Sequence, residues 1–122
     1  MSDTPTSSAP LLVVCLCAEW CGTCRDYRSI FEEAAQAFSH TGDMRFLWVD
    51  IEDESELVDP VEVENFPTLL VSDADGVRFF GTVLPHKDTL WRLLRSEREG
   101  RLGTPHPDAE VQALAKRLWS RA

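Results

Sequence analysis

The segment AEWCGTCRDY, residues 18–27, places Cys21 and Cys24 three positions apart, directly after Trp20. Cysteines at that spacing support three kinds of chemistry: a metal clamp, a structural bridge, or a pair that cycles between thiols and a disulfide. Cys15 and Cys17 precede them, so all four cysteines of the chain fall between residues 15 and 24. A disulfide framework spreads its cysteines to close long loops, so this clustering points to local chemistry rather than scaffolding. The pattern C-x-C-x3-C-x2-C could also offer four sulfurs to zinc. Closed zinc sites, however, commonly draw ligand pairs from two separated knuckles, whereas Cys15 and Cys17 lie in an apolar run. Zinc is therefore the weaker reading, and no metal is expected.

The elements around these cysteines can be read from hydrophobic periodicity. LLVVCLCA, residues 11–18, is continuous, apolar and rich in β-branched residues, the pattern of a strand buried on both faces. A helix follows through CRDYRSIFEEAAQAFSHTG, with Tyr27, Ile30, Phe31, Ala34, Ala35 and Phe38 at helical spacing and His40 and Gly42 near its end. MRFLWVDI, residues 44–51, reads as a second buried strand, so a right-handed crossover is expected. An acidic run then carries a short helix at 55–58, its charges read as a solvated face. PTLLVSDADGVRFFGTV is a hairpin turning through Asp73, Ala74, Asp75 and Gly76. HKDTLWRLLRSERE is amphipathic through Leu90, Trp91, Leu93 and Leu94, and Gly100 ends it. A last helix, DAEVQALAKRLWSRA, lines one face with Val111, Leu114, Ala115 and Leu118.

Composition bounds the function. The 122 residues suit one domain, and 43% hydrophobic content supplies a core without staples. Twenty-one acidic against 12 basic residues give a formal charge of −9, which argues against nucleic acid as a partner. No segment is long enough to span a bilayer, so no membrane association is expected. Residues 1–10 read as a Ser/Thr/Pro-rich flexible leader with no basic start, and a cytoplasmic location follows as the expectation. His40, His86 and His106 are dispersed and are assigned no catalytic part.

The motifs AEWCGTC and NFPTLLV, with Pro67 following Cys21 after the expected strand and short helix, resemble the thioredoxin family over about residues 11–99. The resemblance implies an α/β fold, a mixed sheet of about four strands flanked by helices, here without the usual front strand and helix and with an extra C-terminal helix. Residues 11–103 would form the thioredoxin-like domain, with 104–122 packed on it. The resemblance makes Cys21 the nucleophile and Cys24 the resolving thiol of a redox-active disulfide that needs no cofactor. A helix N-terminus has unpaired N–H groups and a partial positive charge, and both would favour the Cys21 thiolate. Trp20, Phe66 and Pro67 would line a groove for extended client peptides, with Pro67 in a cis bond. The expected partners are disulfide-containing proteins and a thiol reductase or other electron donor, and the chain is expected to be a monomer.

Several positions depart from the family pattern. Cys15 stands where thioredoxins carry a buried acid, and Trp48 about where they place its lysine partner. Losing both leaves no buried charge unpaired. Cys15 reads as a small core residue or, alternatively, as a third thiol beneath Cys24; Cys17 reads as core. Thr23 replaces the proline between the cysteines, and Ser29 replaces a helix-kinking proline. Leu84 and Pro85 stand where a glycine borders the groove, with Gly81 a few residues earlier. Glu19 and Arg25 are charged neighbours that could tune the site. A second reading is a thioredoxin-fold binding module with little turnover.

Overall fold

The computed structural model describes residues 10–18, 21–39, 44–98 and 106–121. Along the chain run strand β1 (Leu11–Cys17), helix α1 (Gly22–Ser39), strand β2 (Met44–Asp50), the short helix α2 (Ser55–Val58), strands β3 (Thr68–Asp73) and β4 (Gly76–Thr82), and helices α3 (Lys87–Arg98) and α4 (Ala109–Trp119). The strands form one sheet in the order β2-β1-β3-β4. β1 is parallel to β2 and antiparallel to β3, and β3 and β4 make the hairpin. The mixed four-stranded sheet flanked by helices is the expected architecture.

Alternation along β1 builds two cores, because successive side chains point to opposite faces. All seven residues of β1 are buried. Leu11, Val13, Cys15 and Cys17 face α1 and α3, meeting Tyr27, Phe31, Ala34, Phe38, Leu90 and Leu94. Leu12, Val14 and Leu16 face the other way, against Val58 of α2 and Val111, Leu114, Ala115 and Leu118 of α4. Of the apolar residues expected on α1, Ile30 and Ala35 are only half-buried. The helix runs unbroken through Ser29 for 18 residues.

Helix α4 is tied down by polar contacts at both ends. The Asp108 carboxylate accepts from the backbone N–H groups of Glu110 and Val111 and so caps it. Gln112 Oε1 accepts from Val77 N at 2.8 Å, and its Nε2 donates to His106 O at 2.8 Å. This contact also explains Gly76. Its φ is +142°, and a Cβ there would lie 2.7 Å from Gln112 Oε1. At the far end, Arg117 donates to the carbonyls of Leu57 and Asp59 at 2.8 and 2.9 Å, which serves the carbonyl groups around the end of α2.

Like the Tyr27 hydroxyl, which is buried with no hydrogen-bond partner, Glu97 is an exception in this packing. It is only 6% exposed, and its Oε2 has no hydrogen-bond partner. Burial, reinforced by the Asp73 charge and opposed by Arg78, pushes its carboxyl up to about 7. An acid raised above its unfolded value disfavours folding once it ionises, so stability falls as pH climbs from the ordinary value of 4.5 to about 7. A shift of this size is on the order of 1–3 kcal/mol. The Glu97→Gln variant should lack this loss, and urea midpoints measured on the acid and alkaline sides of that window check it. A wild-type slope unchanged in the variant would reject it.

Candidate active site

The four cysteines converge where β1 hands the chain to α1. Cys21 N donates to Ala18 O at 3.0 Å, and Cys21 O accepts from Arg25 N at 3.1 Å, so Cys21 sits at the cap of α1. Its side chain is partly exposed and packs against the core on the α1 face. Cys24, inside the first turn, is 1% exposed. Cys15 and Cys17 point up from β1 on the same face and are fully buried.

The sulfur pairing differs from the expected one. Cys24 is bonded to Cys17, and Cys21 and Cys15 are free thiols. The Cα atoms of Cys17 and Cys24 lie 5.8 Å apart, inside the range a disulfide spans without moving the backbone. The cause is the alternation of β1: its last residue points toward α1, and Cys24 is the residue of the first turn that faces inward. Cys17 therefore belongs to the core, as expected, but as a bonded sulfur. Cys15 stays a core thiol. Its Sγ is 3.9 Å from that of Cys17, and burial pushes it far up, away from ionisation. The four sulfurs do not form an open ligand set, since two of them are joined to each other. Among the described residues, no group of three or more His, Cys, Asp or Glu is arranged to hold a metal.

Cys15 pairs in register with Trp48 of β2. A thiol thus lies beside an indole in neighbouring strands. Trp48 meets Phe31 edge-on at 5.8 Å, and the Arg28 guanidinium lies 5.2 Å from the centre of its ring.

The opposite wall comes from the start of β3. Leu16 pairs with Thr68, so Pro67 falls one residue on, beside the Cys17 end of β1. The Phe66–Pro67 bond is cis. Phe66 is half-buried and packs against the same core as Cys21, while Pro67 is buried. Pro67 O accepts from Val83 N at 3.1 Å, and Thr68 Oγ1 donates to Asn65 O at 2.7 Å, closing the turn before the strand. Asp59–Pro60 is also cis, which the sequence reading did not anticipate. Leu84 follows β4 and is 63% exposed. Thr23 and Arg25 are exposed on the first turn of α1. Trp20 and Glu19 lie outside the described residues.

Between α1 and β2 a cavity of about 330 Å³ reaches Cys24, lined also by Arg25, Arg28, Trp48, Asp50, Asp53 and Glu54. The acidic run is largely exposed, as a solvated face implies, and three of its carboxylates also line this cavity. Asp50 shapes that rim, its Oδ1 accepting from the backbone N–H groups of Glu52 and Asp53 at 2.9 and 3.2 Å. Asp50 ends β2 in register with Cys17.

A reachable cysteine at a helix start, above buried sulfurs already joined in a disulfide, defines the class: a thiol–disulfide oxidoreductase. Comparison with known proteins places it further. The Thioredoxin family model matches residues 3–91. The chain is 29% identical over 103 residues to Thioredoxin H2-1 of Oryza sativa subsp. japonica, covering 84% of this chain and 71% of that protein. It is 30% identical over 69 residues to Thioredoxin 1 of Plasmodium falciparum, covering 57% of this chain and 64% of that one. Among solved structures, the oxidised thioredoxin of Plasmodium falciparum superposes with a TM-score of 0.62 at 23% identity, over 74% of this chain and 83% of that one. The germline thioredoxin Deadhead of Drosophila melanogaster does so at 0.63 and 20% identity, over 73% and 82%. The chain belongs to the thioredoxin family.

Proposed function

We propose that this chain reduces disulfides of client proteins, with Cys21 as the attacking sulfur and Cys24 as the resolving one. The observation that carries the reading is exposure: Cys21 is the cysteine that reaches the surface, while Cys15, Cys17 and Cys24 are at most 1% exposed. A bulky protein disulfide can therefore be met only by Cys21.

The Cys21 thiolate attacks one sulfur of the client disulfide, forming a mixed disulfide and releasing the other client sulfur as a thiolate, which takes a proton. Cys24 then attacks Cys21, expelling the second client sulfur and leaving a Cys21–Cys24 disulfide. Two electrons pass to the client, and a reductase or another thiol donor returns the pair to its reduced form. Phe66 and Pro67 wall the groove along which an extended client strand lies, and Trp20 is assigned to that groove from the family resemblance alone. The exposed Leu84 makes one rim of that groove apolar, which favours clients with apolar residues beside the cysteine. Thr23, Glu19 and Arg25 are the neighbours that tune the pair, and Cys15 contributes packing. The reading includes a cytoplasmic setting, where thiols are kept reduced, and a monomeric chain.

Turbidity from reduced insulin, with dithiothreitol as donor, tests the activity, and the reduction potential tests its direction. A potential near about −270 mV supports a reductant, and one near about −120 mV would make the chain an oxidant.

A further inference from the structure

The mechanism above uses two cysteines, but the sulfur bonded to Cys24 is a third. We propose that Cys17 is a redox cysteine that competes with Cys21 for Cys24, so that the oxidised chain carries either a surface disulfide, Cys21–Cys24, or an internal one, Cys17–Cys24. The inference rests on Cys21 and Cys24 being the working pair.

The geometry supplies both partners of Cys24. Cys17 reaches it from the end of β1 with a Cα separation of 5.8 Å, and Cys21 lies three residues before it at the cap of the same helix. In the exchange, Cys17 gives up its proton and its sulfur attacks Cys24 Sγ. The Cys21–Cys24 bond breaks, and Cys21 leaves as a thiolate that takes up a proton. One disulfide forms as one breaks, so no oxidant or reductant is consumed. Burial disfavours an ion, so the isomer that places fully buried Cys17 in the bond and leaves the sulfur at the surface free is the favoured one. Cys15 lies 3.9 Å from Cys17 and is a free thiol, so the test below removes it.

The consequence is functional. In the internal isomer Cys21 can still attack a client disulfide, yet Cys24 is occupied and cannot resolve the product. The mixed disulfide then persists, and the chain holds its client rather than releasing it. The internal bond is sealed from large reductants, since Cys17 and Cys24 are 0% and 1% exposed. Cys21 is the sulfur placed to reopen it.

The test uses the full chain with Cys15→Ala, oxidised with diamide, quenched in acid and alkylated with iodoacetamide under denaturing conditions. Glutamyl endopeptidase cuts after Glu19, separating Cys17 from Cys21 and Cys24. A disulfide that spans the cut, with the alkyl group on Cys21, supports the proposal. A disulfide confined to the fragment beginning at Trp20, with Cys17 alkylated, overturns it. In the native state, the oxidised chain should react once with Ellman's reagent, releasing one thionitrobenzoate and retaining one on Cys21. The oxidised Cys17→Ala variant should release none, because its only disulfide is Cys21–Cys24. Equal release from both would also overturn the proposal. Insulin reduction by the reduced wild type separates the two ideas. Turnover without the internal bond leaves the reductase reading standing, and no turnover removes that reading and this one with it.

Discussion

Cys21→Ser is expected to bring insulin reduction down to the rate of dithiothreitol alone, a loss on the order of 100-fold or more, as when a covalent catalyst loses its nucleophile. The expectation follows from access. Cys24 is 1% exposed, and Cys15 and Cys17 are fully buried, so a folded chain offers no second sulfur to a protein client. Serine keeps the size and the hydrogen bonding of the α1 cap but cannot form the mixed disulfide. The companion variant separates attack from resolution. Cys24→Ser should also lose turnover, but it should accumulate a Cys21–client adduct visible on a non-reducing gel, whereas Cys21→Ser should accumulate none. Cys15→Ala should retain turnover, because its thiol is core. Substantial turnover by Cys21→Ser would show that another sulfur attacks, and the assignment of the site would fall.

Deleting residues 104–122 is expected to abolish cooperative unfolding, read by circular dichroism against temperature. Without α4, the face of the sheet formed by Leu12, Val14, Leu16 and Val77 loses Val111, Leu114, Ala115 and Leu118. The backbone of Val77 also loses both contacts that the C-terminal segment gives it, one from Gln112 Oε1 to its N–H and one from His106 N to its carbonyl, each 2.8 Å. Single substitutions scale the effect. Leu114, fully buried, should cost about 2–5 kcal/mol as Leu114→Ala, a large share of the roughly 5–15 kcal/mol typical of a domain. Lys116, exposed on the same helix, should cost under about 0.5 kcal/mol as Lys116→Ala. A truncated chain that melts at the wild-type temperature would mean that α4 is an appendage.

Most of the fold was legible because it follows from local periodicity. The apolar run 11–17 became the central strand, the 3.6-residue spacing of Tyr27, Phe31, Ala34 and Phe38 became the buried stripe of α1, and the Asp73–Gly76 turn made its hairpin. Two features were not legible for the same physical reason. The acidic segment is solvated, as its charge implies, but that Asp50 ends a strand beside Cys17 depends on the parallel register with β1. Glu97 belongs to an amphipathic helix with no mark in its spacing, and its burial follows from how α3 packs in the tertiary structure.

The identity of the reactive motif, and the helix and strand that carry it, were determined by residue types and spacing alone, because hydrophobic patterning and capping act over a few residues. Which sulfur Cys24 holds was decided by tertiary structure. A disulfide forms between Cα atoms a few ångströms apart in space, and the approach of the end of β1 to the first turn of α1 is set by how the sheet, Tyr27 and Phe31 pack together, a distance that no spacing in the chain records.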